Sequence, residues 1–164
     1  MRRISNRRLW IGTPADTANP KALFDAEIQA VIEVADNEAM ANLPRELIRF
    51  RFPLSDGGDN PHWLLKLAAD SVAGLIRAQV PTLVCCSGGM NRSLCVAAAG
   101  IALAEGLMLE AAISIVASSG PTDLSAALYD QMDKAIRQVV ATRLALFVGH
   151  AAEQAQMLDL ADGG

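Results

Sequence analysis

The sequence lacks the features that would assign it to several common classes of protein. It has no excess of positive charge, because 14 lysines and arginines stand against 18 aspartates and glutamates, for a net charge of −4. A general nucleic-acid binder carries a basic surface, so we expect no nucleic-acid partner. No window approaches the length of a membrane span, and no apolar segment of signal-peptide length follows the N-terminal arginines. We therefore expect a cytoplasmic protein without a membrane partner.

The chain has few cysteines, and their spacing does not match that of a disulfide framework. The chain has three cysteines, of which Cys85 and Cys86 are adjacent. This number and spacing fit neither a disulfide framework nor a metal site, and they suit a reducing compartment. Internal repeats and low-complexity segments are also absent. With 164 residues, 52% of them hydrophobic, we expect one domain over residues 1–164 with a sizeable core, and a frayed tail over 151–164.

The most informative segment covers residues 84–93. It follows the apolar run 80–84 and precedes the Ala-rich segment 94–104, so it predicts a strand, a tight loop and a helix. A helix that begins near Arg92 presents unpaired backbone N–H groups and the positive end of its dipole to the loop. Two adjacent glycines in the loop let successive N–H groups converge on one centre. The segment therefore predicts an anion-binding loop.

Cys86 stands at the end of this strand, at the floor of the loop. Backbone N–H groups, the helix terminus and Arg92 all favour the thiolate, so we expect a low pKa and a nucleophilic sulfur at neutral pH. The planar guanidinium of Arg92 can grip two oxygens of a phosphate. Ser93 offers a hydroxyl that can stabilise the sulfur as a leaving group. The alternative is a glycine loop around a buried and inert cysteine.

A cysteine followed by five residues, an arginine and a serine, with Gly89 third after the cysteine, resembles the signature loop of the cysteine-dependent protein tyrosine phosphatase superfamily, in its dual-specificity branch. The resemblance implies a three-layer α/β domain, with a mostly parallel sheet of about four to five strands flanked by about five to six helices. It implies that Cys86, Arg92 and Ser93 are catalytic and that no cofactor or metal ion is needed. It also implies phosphate binding by Ser87, Gly88, Gly89, Met90, Asn91 and Arg92.

The order of the predicted elements is consistent with this fold along nearly the whole chain. Strand and helix patterns alternate, which indicates parallel strand pairs with helices on the faces of the sheet. The third strand alternates from Ile48, so we expect Ile48, Phe50 and Phe52 to be buried and Pro53 to end the strand. Predicted strands cover residues 9–12, 30–35, 47–52 and 80–84; predicted helices cover 20–27, 61–79, 94–104, 107–118 and 123 to about 148.

The N-terminal arginines stand outside these elements. They are interpreted as a solvated arm, with attraction of an anionic substrate as the alternative; they are Arg2, Arg3, Arg7 and Arg8.

A second chemical site is predicted in the loop 53–61, which contains two glycines, two prolines and two aspartates and is suited to close over a pocket. Breaking a phosphate ester at neutral pH needs an acid that protonates the leaving oxygen. Asp56, thirty residues before Cys86, is our candidate because the family's general acid has a similar spacing. Asp59 is the reserve candidate, although it suits a turn or a helix N-cap better.

Two positions depart from the family pattern. The residue before the nucleophile is usually histidine, and here it is Cys85, whose thiol is a weak hydrogen-bond donor. In the family, an arginine often precedes the proline that corresponds to Pro121, whereas this chain has Gly120 there. Thr122 or Asp123 is therefore the candidate to perform part of that arginine's function. A vicinal disulfide between the adjacent cysteines is conceivable but strained. Cys95 is interpreted as a small core residue.

These observations predict a metal-independent phosphomonoester hydrolase that forms a phosphocysteine intermediate. Its expected partner is a phosphoprotein, carrying phosphotyrosine, phosphoserine or phosphothreonine, or a small phosphomonoester. A phosphoresidue-binding pseudophosphatase with little turnover stays open because of Cys85. An arsenate reductase or a sulfurtransferase fits less well, because their loops differ in position or length. The loop contains no lysine, which disfavours a polyphosphorylated lipid headgroup.

Overall fold

The computed structural model describes residues 1–137. Its centre is a five-stranded sheet in the order β1-β2-β5-β3-β4, in which neighbouring strands are parallel except for β1 and β2. The strands are β1 (Arg2–Arg3), β2 (Leu9–Gly12), β3 (Ala30–Ala35), β4 (Ile48–Leu54) and β5 (Thr82–Cys85). The helices of the described residues are α1 (Pro14–Thr17), α2 (Pro20–Asp25), α3 (His62–Arg77), α4 (Arg92–Glu105), α5 (Leu109–Ala117) and α6 (126–137). The predicted fold class is confirmed.

Both faces of the sheet are covered, which gives three layers. Alternate residues of a strand point to opposite faces, and two separate apolar clusters show this division: Val31 and Leu83 pack on the side of α2, while Ile32 and Val84 pack on the side of α3, α4 and α5. The alternation continues past the end of β5. Cys85 belongs to the cluster beside α2, and Cys86 belongs to the larger cluster beside α4.

The helix behind the loop is buried almost all round. Every residue of α4 from Arg92 to Leu103 is buried, and the helix ends at Gly106, which has left-handed backbone geometry. An apolar helix of this kind needs protein on all sides, and α3 and α5 pack against it. The buried helix fixes the position of its own N-terminus, and therefore that of the loop.

Strand β4 lies at the edge of the sheet, and its predicted burial is only partly right. Phe52 is buried and Phe50 is partly buried, but Ile48 is 49% exposed. Pro53 does not end the strand, which continues to Leu54. An edge strand tolerates proline because one side of its backbone has no strand to bond.

The interpretation of the N-terminus as a solvated arm was wrong for three of its arginines. Arg2 pairs with Ile11 and Arg3 pairs with Trp10, so the two arginines form an antiparallel edge strand. The Arg3 guanidinium lies 5.2 Å from the centre of the Trp10 ring. Arg7 is bound through Nε and Nη2 to both carboxylate oxygens of Glu105, at 2.7 Å each. The first residues are therefore part of the folded domain.

Other expectations differ in detail. The short helix α1 occupies a segment for which the sequence predicted a loop. The helix predicted from residue 123 begins at 126. Its continuation to about 148 and the predicted tail 151–164 lie outside the described residues.

Candidate active site

The loop of residues 86–91 is held at the carboxyl edge of the sheet by contacts on two sides. The Cys86 N–H donates to the carbonyl oxygen of Gly12 at 3.3 Å, and the Asp123 N–H donates to the carbonyl oxygen of Met90 at 3.2 Å. Gly89 has a φ of +66°, and a Cβ there would lie 3.2 Å from the Gly12 oxygen. Glycine is therefore required at this turn on both conformational and steric grounds.

Cys86 lies at the floor of this loop with 3% of its surface exposed. Its Sγ is 3.1 Å from the hydroxyl of Ser93. Burial alone raises the pKa of the thiol, but hydrogen bonds from the Ser93 hydroxyl and from the backbone N–H groups of Ser93, Gly89 and Gly88 more than offset it. The pKa of Cys86 lies below its ordinary value of 9.0. The loop therefore stabilises a thiolate, as predicted from the sequence.

The thiols of the other two cysteines have raised pKa values. Burial, followed by the negative charge of Glu33, raises the pKa of Cys85 to about 12. Burial raises the pKa of Cys95 to about 12 as well, and its Sγ lies 3.9 Å from the carbonyl oxygen of Leu128. Both thiols stay protonated and unreactive at neutral pH. The three cysteines are free, and the interpretation of Cys95 as a core residue is consistent with its complete burial.

Arg92 is 1% exposed, and its guanidinium donates hydrogen bonds to four groups. Nη1 lies 3.1 Å from Oδ1 of Asp36, 2.9 Å from Oδ1 of Asn37 and 3.0 Å from the carbonyl oxygen of Leu54. Nη2 donates to Oγ of Ser87 at 2.9 Å. Nε, by contrast, is buried and has no hydrogen-bond partner. An unpaired buried donor is costly, so this N–H is a ready partner for an anion in the loop.

Asp36 and Asn37 were not singled out from the sequence. They follow β3 directly, and β3 lies beside β5 in the sheet. The carboxyl ends of parallel strands meet at the same edge, which is where α/β sheets place their ligands. The sequence does show polar residues directly after a buried strand, which indicates a position at this edge of the sheet. Their contact with Arg92, however, could not be predicted without knowing the strand order.

The structure brings Asp56 to the loop. Its Oδ1 accepts a hydrogen bond from Nδ2 of Asn91 at 2.6 Å and lies 3.6 Å from Nε of Arg92. The reserve candidate Asp59 does not line the cavity above Cys86. Asp59 is not the N-cap of α3 either, since that position is Pro61. Asp56 is therefore the better placed of the two aspartates.

A cavity of about 90 Å³ lies over the nucleophile, with room for a few water molecules or one small tetrahedral anion. Asp123 lines it, whereas Thr122 does not. Of the two candidates after Pro121, only Asp123 therefore takes part in the site. The residues around this cavity are Asp56, Cys86, Gly88, Met90, Asn91, Arg92 and Asp123.

A larger cavity of about 360 Å³ lies beside Cys85 and Cys86, between α1, the segment after β3 and Arg51 of β4. Although this cavity is larger, the residues around it do not make it the reaction site. The donors that stabilise Cys86 belong to the loop and to the start of α4, and of these two cavities only the smaller one is lined by Arg92. The chemistry is therefore assigned to the smaller cavity.

Within residues 1–137, no group of three or more histidine, cysteine, aspartate or glutamate side chains is arranged to hold a metal ion. In the same part of the chain, no helix has the length and apolar character to cross a membrane.

No protein-family model and no curated protein sequence matches the chain. Solved structures do match it. Human DUSP28 superposes with a TM-score of 0.77 and 21% identity, over 87% of this chain and 99% of that one. A mouse putative dual specificity phosphatase complexed with zinc tungstate gives 0.76 and 22%, over 87% and 89%. The human tyrosine phosphatase-like serine/threonine/tyrosine-interacting protein gives 0.73 and 17%, over 85% and 97%.

These similarities show that the chain has the fold of the dual-specificity phosphatases. The resemblance inferred from the loop sequence is thus confirmed at the level of the fold. The catalytic roles of Cys86, Arg92, Asp56 and Ser93, and the extent of the domain over residues 1–164, stay predictions.

Proposed function

We propose that the protein is a metal-independent phosphomonoester hydrolase of the dual-specificity type, which acts on a phosphoprotein or a similar phosphomonoester through a phosphocysteine intermediate. The observation that carries the proposal is the surroundings of Cys86. Its sulfur accepts hydrogen bonds from Ser93 and the loop N–H groups, beside the buried Arg92, whose Nε has no hydrogen-bond partner and lies 3.6 Å from Oδ1 of Asp56. The fold, shared with phosphatases, supports the same class.

In the first step the Cys86 thiolate attacks the phosphorus in line. An S–P bond forms and the ester P–O bond breaks, while Asp56 transfers its proton to the leaving oxygen. Nε of Arg92 and the loop N–H groups stabilise the equatorial oxygens of the phosphoryl group. The guanidinium of Arg92 is already held in position before substrate binds, since it donates to Asp36, Asn37 and Leu54.

In the second step water attacks the phosphocysteine. Asp56, now ionised, takes a proton from the water, the S–P bond breaks, and inorganic phosphate leaves. The departing sulfur regains its electron pair as a thiolate 3.1 Å from the Ser93 hydroxyl. Ser93 therefore assists the step in which the sulfur is the leaving group.

The cavity limits the type of substrate. A volume of about 90 Å³ accommodates the phosphoryl group, so the remainder of the substrate lies outside it. The charged side chains around the cavity include the carboxylates Asp56 and Asp123, and the loop has no lysine. Extra phosphates would be repelled there, which favours a single phosphoryl group on an amino-acid side chain or a small molecule. A reducing compartment keeps the thiol active, and we place the protein in the cytoplasm.

The test is hydrolysis of para-nitrophenyl phosphate with EDTA and a thiol reductant present. Wild type is compared with Cys86→Ser, and Cys85→Ser is the matched control because the adjacent thiol faces the opposite side of the sheet. We expect metal-free turnover that is lost in Cys86→Ser and retained in Cys85→Ser. Equal rates in wild type and Cys86→Ser would exclude the mechanism.

A second candidate function is phosphoresidue binding without turnover. It is favoured by Cys85, a neutral and weakly donating thiol next to the nucleophile, and by the lack of an arginine before Pro121. Isothermal titration with inorganic phosphate distinguishes the two functions. Folded, reduced wild type that binds phosphate but releases no nitrophenolate, even in the first turnover, would establish binding alone.

A further inference from the structure

The loop that carries Asp56 is closed at its base by one buried side chain. Asn60 is 6% exposed, and its Oδ1 accepts a hydrogen bond from the Ser55 N–H at 2.8 Å. Nδ2 of Asn60 donates back to the carbonyl oxygen of Ser55 at 3.1 Å. These two bonds fix the ends of the loop, residues 55 and 60, relative to each other. Asp56 lies between the ends, so its position depends on a further contact.

The tip of this loop has open space around it. The side chain of Asp56 is 58% exposed. Gly57, the next residue, has a φ of +97°, and a Cβ there would have no heavy atom within 4 Å. An exposed loop tip that contains glycine samples many conformations unless a specific contact holds it. The hydrogen bond of 2.6 Å from Nδ2 of Asn91 to Oδ1 of Asp56 is such a contact.

The direction of that hydrogen bond is fixed at the other end of the Asn91 amide. Oδ1 of Asn91 accepts a hydrogen bond from the backbone N–H of Ser125 at 3.1 Å. A backbone N–H can only donate, so the amide oxygen must face Ser125 and the amide nitrogen must face Asp56. The side chain of Asn91 therefore joins the loop 55–60 to the segment before α6.

The contacts of Asp56 also decide which of its oxygens carries the acid proton. Oδ1 receives the Asn91 N–H and lies 3.6 Å from Nε of Arg92, so N–H groups already face this oxygen. A carboxyl group in these surroundings keeps its own proton on the other oxygen, Oδ2. Oδ1 accepts from Asn91 in both the protonated and the ionised state. The same bond therefore holds Asp56 before it gives up its proton and afterwards.

We propose that Asn91 is a positioning residue, whose side-chain amide holds Asp56 beside the cavity over Cys86 with the proton on Oδ2 directed to the leaving oxygen. The proposal deepens the function proposed above and rests on it for its consequence in turnover. Asn91 and Asp56 line that cavity together with Cys86 and Arg92. Without the amide, the acid spends less time near the leaving oxygen, which slows proton transfer.

Three variants separate the parts of this arrangement. Asn91→Leu is similar in size and removes both hydrogen bonds of the amide. Asn91→Asp keeps an acceptor for the Ser125 N–H and removes the donor to Asp56. Asn19→Leu is the matched control, because Oδ1 of Asn19 accepts from the Ala22 N–H at 3.2 Å at the start of α2. It removes a comparable amide that does not line the cavity over the nucleophile.

The first measurement is kcat for an alkyl phosphate and for para-nitrophenyl phosphate, whose leaving group needs little protonation. In Asn91→Leu we expect kcat for the alkyl phosphate to fall about 5- to 50-fold and kcat for the aryl phosphate to change little. Asn91→Asp should show the same selective loss, and Asn19→Leu should show none. When Asp56→Asn is already present, Asn91→Leu should cause no further loss, because it acts through that acid.

The second measurement needs no turnover. NMR relaxation of the backbone amide nitrogens gives the order parameters of residues 56–58. In Asn91→Leu these should fall from about 0.85, typical of a rigid backbone, to below about 0.6, and in Asn19→Leu they should keep the wild-type values. Thermal unfolding checks that each variant is folded. Asn91→Asp takes the place of Asn91→Leu in both measurements if the leucine variant does not fold.

Unchanged order parameters in folded Asn91→Leu would overturn the proposal, as would an equal loss of kcat for both substrates. If wild type does not hydrolyse either substrate but the loop loosens in Asn91→Leu, only the proposed function is contradicted. If wild type hydrolyses both and Asn91→Leu keeps the same ratio of the two rates, only the role of Asn91 is contradicted.

Discussion

Oδ1 of Asp56 lies 3.6 Å from Nε of Arg92, near enough for electrostatic attraction but too far for a hydrogen bond. The gap lies beside the cavity over Cys86, and Asn91 holds the carboxylate there. A phosphoryl group that binds Nε would therefore have an acid beside it. This arrangement links phosphate binding and proton transfer through one pair of side chains.

The first prediction concerns that acid. Asp56→Asn should lower kcat for an alkyl phosphate about 10²- to 10⁴-fold, because no group then protonates the leaving oxygen. An activated aryl phosphate, whose leaving group needs little protonation, should lose much less. Asp59→Asn is the control and should behave as wild type with both substrates. An equal loss for both substrates in Asp56→Asn would contradict the role as general acid.

The second prediction concerns the step that releases phosphate. Ser93→Ala removes the hydroxyl 3.1 Å from the sulfur, so departure of the thiolate from phosphocysteine should become slow. Rapid-quench measurements should show a burst of nitrophenolate near one equivalent, followed by a steady rate at least about tenfold below wild type. A loss without a burst would place the effect of Ser93 on the first step instead.

The third prediction concerns stability against pH. The pKa of Cys86 is lowered on folding, so the unfolded chain binds more protons and the thiolate stabilises the fold as pH rises. This contribution is fully present above the unfolded pKa, near 9.0, and is lost as pH falls through the folded pKa. Urea midpoints of wild type and Cys86→Ser should diverge in favour of wild type as the pH increases.

A Cys95 variant provides a control in which the effect of pH on stability should have the opposite sign. Burial raises its pKa to about 12, so the folded state keeps a proton that the unfolded chain loses above about 9. Wild type should therefore lose stability relative to Cys95→Ala as the pH rises beyond that point. If both variants changed in the same direction with pH, the assignment of the low pKa to Cys86 would be wrong.

The fourth prediction concerns the packing of α3 on α4, which supports the loop. A Cβ on Gly100 would lie 2.3 Å from Cγ1 of Val72, so Gly100→Ala should lower the free energy of unfolding by about 1–3 kcal/mol. Gly74 on α3 has no heavy atom within 4 Å of such a Cβ, so Gly74→Ala should raise it by roughly 0.5–1 kcal/mol. Urea denaturation measures both.

A rescue variant makes the packing prediction sharper. Val72→Ala removes Cγ1, the nearer of the two Val72 atoms that a side chain at position 100 would strike, and leaves Cβ, which would lie 2.5 Å away. The double variant should therefore lose less stability than the sum of the two single variants. Additive losses would mean that the helices move apart and that the contact with Val72 does not set the cost.

The local parts of the site could be predicted from the sequence, because strand, loop and helix are contiguous. The spacing from Cys86 to Ser93 places the hydroxyl beside the sulfur through the geometry of one turn and one helix start. The α/β class followed from the alternation of apolar patterns. The same reasoning does not extend to contacts between distant segments.

The groups that hold Arg92 from a distance were missed for that reason. Asp36 is 56 positions from Arg92, and their contact depends on β3 lying beside β5. The edge strand β1, which contains Arg2, was missed as well because two residues are too few to show a strand pattern. The expectation that Ile48 is buried was wrong for a related reason, since edge and central strands can show the same alternation of apolar and polar residues.

The strand order has a consequence for synthesis of the chain. β5 lies between β2 and β3, which have no pairing with each other. A ribosome-bound chain that ends before residue 82 can pair β3 with β4, but it leaves β2 without its parallel partner. Among the described residues, β5 is thus the last strand to be synthesised, and it joins the sheet and has Cys86 directly after its end. The donors that lower the pKa of Cys86 lie at residues 88–93, after β5, so an unfinished chain that ends before them has no stabilised thiolate to be oxidised.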